Sequence, residues 1–407
     1  MPLPHRKIPS EAWPGIVLLI AAALAMWLAN SPFAPLQSEA LQSIGTVSFR
    51  DFVISMTLAE WVKNLLMAVF FFYVGLELKR ELVEGTLSSR STALLPLIAA
   101  IGGVLTPALI YLAINHESGY QHGWAVPTAT DIAFALGVVA LLGNRVPPAL
   151  KIFLLAIAVV DDLIAILIIA FFYSERLHPG WLAVVAAFYL PMLLLTRRRL
   201  NWHGLYMLLA MPMWLAMEMS GINPTIAGVL AAFAIPMRNG AGESLLVDLE
   251  HRLRPYVHYG VMPAFALATA GATVGGDFVE SITHPAGLGI ILGLLLGKPL
   301  GITIGTFLGS LLLRAERPGK LLSIIGIGFV AGIGFTMSLF VGKLAFRDDT
   351  VELAVKMGVY TGSLVSALIG LLLLALAHRR KTRHQHILDE ADIFTGGGDA
   401  KRLRDGA

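Results

Sequence analysis

The sequence contains no cysteine and few charged residues. Because none of its 407 residues is cysteine, neither a disulfide nor a thiolate-bound metal can stabilise the fold. Charged residues make up 14% of the chain, against about 25% in a typical soluble domain. Hydrophobic residues make up 56%. This balance excludes a soluble globular protein and predicts a protein whose solvent is the lipid bilayer, with no nucleic-acid partner.

Hydrophobic stretches account for most of the chain. A membrane-spanning helix needs about 20 apolar residues, so the chain has room for about twelve spans. We therefore predict an all-α, multi-pass membrane protein with a single transporter domain over residues 1–380. The polar residues 381–407, which contain three consecutive glycines, are predicted to be a disordered cytoplasmic tail. The predicted spans are 13–30, 59–83, 93–114, 121–142, 149–173, 180–196, 204–219, 222–237, 257–274, 286–313, 323–346 and 355–378.

Lysine and arginine are concentrated on one side of the predicted membrane. Cytoplasmic segments carry an excess of these residues, so the basic side is assigned to the cytoplasm, together with both termini. The opposite segments carry mainly Arg50, Arg176 and Arg347, accompanied by acidic residues. The basic residues on the predicted cytoplasmic side are Arg6, Lys7, Lys79, Arg80, Arg90, Arg145, Lys151, Arg197, Arg198, Arg199, Arg238, Arg252, Arg254, Arg314, Arg317 and Lys320.

Residues 45–58 (GTVSFRDFVISMTL) differ in composition from the rest of the chain. They are rich in β-branched and aromatic residues around the central pair Arg50 and Asp51, which predicts a short extracytoplasmic β-hairpin. An isolated hairpin is only marginally stable in water, so its edge is expected to pair with a second copy in a homodimer. The alternative is a loop that lies on the membrane surface.

Four ionisable residues fall at the centres of predicted spans. Asp131 lies in span four, Asp161 and Asp162 lie in span five, and Lys298 lies in span ten. A charge at the centre of a bilayer is costly and marks a functional site by default. Because three separate helices place these groups at one depth, the pattern favours a transport site. The alternative is a buried ion pair that only holds helices together.

Asp161 and Asp162 are adjacent on one predicted helix. Successive helical residues point about 100° apart, so one carboxylate can meet a neighbouring helix while the other lines a cavity. Repulsion between them, together with desolvation, favours proton uptake by at least one. Carboxylate oxygens also suit hard cations such as Na⁺ and Li⁺. The pair therefore fits a site that exchanges a proton for a cation.

Two predicted spans carry helix-breaking signals at mid-membrane. Span four contains Val126–Asp131 (VPTATD), and span eleven contains the glycine-rich stretch Gly326–Thr336. Half-helix ends of like sign would face each other if the breaks crossed, and such ends need compensating charge. Asp131 is predicted to supply it at one pair of ends and Lys298 at the other. Cation binding by Asp131 remains an alternative, as does simple tight packing of the glycines.

The two breaks occupy corresponding positions in two groups of three spans. Spans three to five and spans ten to twelve have opposite predicted orientations in the membrane, because an odd number of spans separates equivalent positions. Inverted repeats with broken helices at a central site are typical of secondary transporters. The pattern therefore predicts a transporter rather than an enzyme.

The motifs at these positions resemble those of the NhaA family of bacterial Na⁺/H⁺ antiporters, itself a known example of the inverted-repeat fold. They occur in the family's order, over residues 10–380. The motifs that carry the resemblance are Gly75–Glu81 (GLELKRE), Thr128–Gly137 (TATDIAFALG), Val160–Leu163 (VDDL), Gly297–Gly301 (GKPLG) and Gly332–Ser338 (GIGFTMS).

The resemblance implies an electrogenic Na⁺(Li⁺)/H⁺ antiporter of the bacterial inner membrane, active in sodium and pH homeostasis, activated by alkaline pH and requiring no cofactor. Asp162 is then the principal cation ligand, with Asp161 and Thr130 beside it. Asp161 pairs with Lys298 until Na⁺ binds. Asp131 compensates the crossed half-helices. If two protons move against one Na⁺, the membrane potential drives Na⁺ export.

The family's cytoplasmic pH-sensing cluster has counterparts here, but two family histidines are replaced. Arg254 and Asn223 stand at these positions, and an arginine does not titrate near neutral pH. The resemblance therefore implies pH activation without fixing its midpoint. Alternatively, Glu77, Arg80 and Glu81 form an ordinary charged helix end at the membrane interface. The residues implied in pH regulation are Glu77, Arg80, Glu81, Glu250, His251 and Arg254.

Two other functions fit parts of the pattern. An intramembrane aspartyl protease would use Asp131 with Asp161 or Asp162 as a dyad. Against it, two of the acids are adjacent, Lys298 lies at their depth, and no Gly-x-Gly-Asp motif includes any of the candidate catalytic acids. A cation-coupled symporter of organic anions on a related fold is the closer alternative, and proton movement without an organic substrate distinguishes the two.

Overall fold

The structure, a computed structural model, describes residues 12–49, 52–174, 177–198, 203–238, 242, 244–273 and 278–378. These residues are mostly helical, with one small sheet. The elements are α1 (Trp13–Ala29), α2 (Ala34–Gln42), β1 (Ile44–Phe49), β2 (Phe52–Thr57), α3 (Leu58–Val83), α4 (Arg90–Asn115), a 3₁₀ segment (Gln121–Thr128), α5 (Ile132–Leu141), α6 (Pro148–Phe172), α7 (Pro179–Arg197), α8 (His203–Ser220), α9 (Thr225–Ala234), α10 (Leu245–Tyr256), a π-turn (Val257–Val261), α11 (Met262–Thr269), α12 (Phe278–Thr283), α13 (Pro285–Leu313), α14 (Leu321–Ala331), α15 (Phe335–Ala345) and α16 (Asp349–Ala377).

Each of the twelve predicted spans contains a helix. Within the described residues, seven helices are long and apolar enough to cross a membrane, or up to nine if two bent pairs are each counted as one span. The bent pairs are α1 with α2, at 106°, and α14 with α15, at 48°. The structure therefore supports a multi-span membrane protein, while twelve complete crossings stay a prediction.

The predicted hairpin is present. Strands β1 and β2 pair in antiparallel register from Ile44–Thr57 to Phe49–Phe52, one residue earlier than the predicted bounds. Thr57 then begins α3 through a capping box with Glu60, whose backbone N–H lies 3.2 Å from the threonine hydroxyl. The hairpin tip, Arg50 and Asp51, lies outside the described residues. So do the N-terminal residues 1–11 and the predicted tail.

Both predicted breaks interrupt their helices. In span four, Pro127 has no backbone N–H and disfavours an α-conformation at the residue before it, so the chain forms a 3₁₀ segment rather than an α-helix. Ala129 and Asp131 are extended, and α5 begins after them. In span eleven, Gly332 to Gly334 separate α14 from α15. Each span thus has a non-helical centre.

Glycines bring α4 and α13 into close contact. A side chain at Gly301 would collide with the backbone carbonyl of Gly102, and Gly305 would meet the backbone of Ala99 at 2.9 Å. Small residues permit this backbone approach in membrane helices. Lys298 lies on α13 one turn before Gly301, so the same packing buries its side chain completely. Another hydrophobic cluster lies away from the site, where α7, α8 and α9 pack against one face of α3.

Candidate functional site

Asp131 lies where the two broken spans cross. It is the N-cap of α5, and its Oδ1 accepts a hydrogen bond from the backbone N–H of Phe134 at 3.0 Å. Its Oδ2 accepts from the hydroxyl of Thr336 at 2.5 Å and from the backbone N–H of Thr336, in the first turn of α15, at 3.2 Å. One carboxylate therefore binds the N-terminal, positive ends of two half-helices.

Hydroxyl groups bind the backbone carbonyls that the breaks leave without helical partners. The Thr130 hydroxyl lies 2.8 Å from the carbonyl oxygen of Ala331, the last residue of α14. Ser338 donates to the carbonyl of Val126 at 2.7 Å. Because unpaired backbone groups are costly away from water, these contacts let both spans remain broken inside the protein.

Asp161 and Lys298 form an ion pair beside this crossing. Their Oδ2 and Nζ atoms lie 2.5 Å apart, and both side chains are fully buried. Lys298 also donates to the Thr130 hydroxyl at 2.8 Å, and that hydroxyl lies 2.8 Å from Asp161 Oδ2. The other carboxylate oxygen, Oδ1 of Asp161, is buried and has no hydrogen-bond partner among the residues that the structure describes. Lys298 thus binds Asp161 and Thr130, whereas the hydroxyls of Thr130 and Ser338 bind the backbone carbonyls at the breaks.

Asp162 points in a different direction from Asp161. It is 2% exposed, and none of the hydrogen bonds or ion pairs found among the described residues involves it. Instead it lines a cavity of about 30 Å³ together with Thr130, Asp131 and Glu77. The 100° separation of adjacent helical side chains explains how one acid can pair with Lys298 while its neighbour faces a cavity.

A larger cavity of about 650 Å³ leads away from the site. Tyr73, Glu77 and His258 line both cavities, so the two are neighbours. The larger one extends past Lys151 and Arg254, residues on the predicted cytoplasmic side. The larger cavity therefore extends from Lys151 and Arg254 to the residues beside Asp162, which lines only the smaller one.

Comparison with known proteins identifies the family of this chain. The family model for Na⁺/H⁺ antiporter 1 matches residues 5–374. The chain belongs to this family. It is 44% identical to the Na⁺/H⁺ antiporter NhaA of Pelagibacter ubique over 375 residues, which cover 91% of this chain and 96% of the relative. It is 45% identical to the Na⁺/H⁺ antiporter NhaA 1 of Pseudomonas putida, with 91% and 95% covered. The family predicted from the motifs is confirmed.

The structure brings together half of the pH-sensing cluster predicted from the antiporter family. Arg80 Nε lies 2.7 Å from Glu250 Oε2, and Arg80 Nη1 lies 3.1 Å from Glu81 Oε1. Glu77 and Arg254 line the larger cavity instead. His251 is exposed, and no ion pair found among the described residues involves it. The predicted cluster therefore divides into three ion-paired residues, two residues that line the cavity, and the exposed His251.

Two further residues, His258 and Thr336, lie at the candidate site. His258, one turn beyond Arg254, lines both cavities, and its buried Nδ1 has no hydrogen-bond partner within the described part of the chain. Thr336 binds Asp131, as described above. Neither was predicted, although both lie in or near motifs that the sequence displays. Asn223, at a family histidine position, accepts a hydrogen bond from the backbone N–H of Thr225, the first residue of α9, at 3.1 Å.

Proposed function

We propose that this protein is a secondary active transporter that exchanges Na⁺ for protons, as the names of its relatives state for them. The observation that carries the proposal is Asp162, a buried acid at the end of a cavity, adjacent to a paired Asp161 and Lys298. Oxygen atoms of Asp162, Asp161 and Thr130 form a ligand set suited to a hard monovalent cation. Li⁺ satisfies the same chemistry and is a second expected substrate.

The exchange follows from competition for the carboxylates. A proton on Asp162 leaves when Na⁺ binds there, because one carboxylate cannot hold both. The cation also attracts Asp161, which separates from Lys298. Asp131 keeps its contacts with α5 and α15 and compensates the half-helix ends throughout. When the site faces the other side of the membrane, protons displace Na⁺ and the Asp161–Lys298 pair forms again.

We further propose that the exchange is electrogenic, with two protons moving inward for each Na⁺ exported. One net positive charge then enters per cycle, which an inside-negative potential favours by about 2.3 kcal/mol per 100 mV. We place the protein in a bacterial inner membrane, which provides this potential, with both termini in the cytoplasm as the lysine and arginine distribution predicts. The proposed inverted repeat of spans three to five and ten to twelve provides the alternating access.

Vesicle measurements test the proposed function. Purified protein in proteoliposomes with a preset ΔpH should dissipate it on addition of Na⁺ or Li⁺ in the absence of any organic substrate. K⁺, which is larger, serves as the control cation. An imposed membrane potential should accelerate the response if the exchange is electrogenic. Absence of any ΔpH response between pH 6 and 9 would refute antiport and favour the symporter of organic anions.

Asp131→Ala should destabilise the protein. The variant removes a helix N-cap, worth about 0.5–2 kcal/mol, and leaves Thr336 without its partner. We expect a lower thermal unfolding temperature in detergent. Asp131→Asn keeps an oxygen acceptor without the charge, so it should lie between the parent and the alanine variant. If the asparagine variant were fully stable but bound Na⁺ poorly, Asp131 would be a cation ligand rather than a compensating charge.

Glu250→Gln should move the activation of antiport toward lower pH. The variant removes the negative charge of one of the two acids that share Arg80, so Arg80 is left to Glu81 and the remaining acids of the cluster repel each other less. The measurement is the ΔpH response at a series of pH values. Glu84→Gln is a matched control, because it removes the exposed ion pair with Arg238 near the end of the same helix. Identical profiles for both variants would assign Glu250 a structural role.

Deleting the hairpin should convert a dimer into a monomer. We propose that the β1–β2 hairpin lies on the extracytoplasmic side and pairs with its copy in a second protomer, since two strands alone form a marginal sheet. The variant joins Ser43 to Leu58. Its molecular mass in detergent, measured by light scattering, should fall to that of one protomer. Intact dimers would place the subunit contact elsewhere.

A further inference from the structure

An apolar groove at the broken-helix crossing shares no lining residue with the cavity at Asp162. Its volume is about 280 Å³, and it lies between α1, α5, α15 and α16. The only two polar side chains in its lining are already bonded. Ser363 accepts from the backbone N–H of Phe335 at 3.2 Å, and Tyr360 donates to the carbonyl of Ala270 at 2.5 Å. The groove therefore offers a ligand only apolar contact.

The floor of the groove is the crossing itself. The rings of Phe134, in α5, and Phe335, in α15, lie 5.7 Å apart, and Phe335 lies 5.9 Å from Tyr360. Ile333, also in the lining, accepts a hydrogen bond from the backbone N–H of Asp131 at 2.7 Å. An occupant would thus touch the residues that hold the two half-helices together.

The rim of the groove faces the hydrocarbon of the bilayer. Leu19 on α1 is 53% exposed and Leu364 on α16 is 60% exposed, and both helices belong to predicted spans. A cavity of about 280 Å³ is roughly nine times the share of liquid volume of one water molecule, about 30 Å³. It admits one narrow chain but not a helix, whose diameter is about 10 Å.

We infer that this groove binds an acyl chain of a membrane phospholipid, which packs against the crossing of the two broken helices. Hydrocarbon is the solvent on this face, and an unfilled groove would lose dispersion contacts along its whole lining. Because α5 and α15 carry the N-terminal ends that bind Asp131, the bound chain forms part of the packing around the transport site.

Photo-crosslinking in proteoliposomes tests this inference independently of antiport. The probe is a phosphatidylcholine with a diazirine in the middle of one acyl chain. Leu364 lines the groove, whereas Leu368, one turn further along α16, does not and is equally exposed, at 59%. Lipid that merely surrounds the protein should label the two positions equally. A bound chain should label Leu364 preferentially.

Groove-filling variants complete the test. Ala367→Phe should reduce labelling of Leu364 to the level of Leu368, and Ala23→Leu provides a second filling from α1 should the first variant fold poorly. Leu368→Phe is the matched control and should leave the preference intact. Equal labelling of the two leucines in the parent protein would overturn the inference. So would a disulfide between copies of Leu364→Cys, formed in this otherwise cysteine-free chain, because a second protomer would then cover the groove.

Discussion

Replacing Asp162 with asparagine is expected to abolish Na⁺-driven proton movement while leaving the protein folded. Asparagine keeps the size and one oxygen of the side chain but can neither carry the exchanged proton nor bind a cation through a charge. None of the hydrogen bonds found among the described residues involves the Asp162 carboxylate, so its loss should cost little stability. The measurement is the ΔpH response of proteoliposomes to Na⁺.

The binding step can be separated from transport in the same variant. A ligand that binds only the folded state stabilises it by about 2.7 kcal/mol at 100 times its dissociation constant. Na⁺ should therefore raise the thermal unfolding temperature of the parent protein but not that of Asp162→Asn. A variant that retained both Na⁺ stabilisation and proton flux would exclude Asp162 as the principal cation ligand.

Lys298→Ala is expected to cause the largest loss of stability. Asp161 and Lys298 are both fully buried, with 2.5 Å between Oδ2 and Nζ. Removing one partner of such a pair costs about 3–5 kcal/mol, because it leaves an uncompensated buried charge. Thermal unfolding of the purified variant should reveal the loss, and any surviving antiport should have an altered pH profile.

A double-mutant cycle distinguishes the ion pair from simple packing. Lys298→Met retains much of the apolar bulk of the lysine, so its destabilisation reports chiefly the orphaned Asp161. Combining it with Asp161→Asn removes that charge and should recover part of the lost stability. If Lys298→Ala altered neither stability nor the pH profile, the pairing of Asp161 with Lys298 would have no energetic role.

The sequence predicted the positions of the structural elements closely. Apolar stretches of about 20 residues are required by the bilayer itself, so each predicted span contains a helix. Pro127 interrupts span four because of its own covalent structure. The hairpin bounds were displaced by a single residue, since alternating β-branched and aromatic residues mark strands without fixing their last pair.

The partners within the site were harder to predict. Thr336 and Ser338 lie in a recognised motif, yet only the crossing of the two spans brings their hydroxyls to Asp131 and to the carbonyl of Val126. In the sequence, His258 follows the charged segment that forms α10 and resembles an ordinary polar residue near the membrane surface. Its position between the two cavities depends on how α3 packs against the π-turn at Val257–Val261, which no periodicity in the chain encodes.

The amino-acid pattern alone indicates a membrane protein of the Na⁺/H⁺ antiporter family and predicts four charged residues at the centres of spans, because the bilayer restricts where charge can lie. Which of these charges form an ion pair depends on how the helices pack. The side chain of Asp161 on α6 points toward Lys298, whereas that of Asp162 points into the cavity. The choice depends on the rotation of one helix relative to its neighbours, and close packing between helices, not local sequence, sets that rotation.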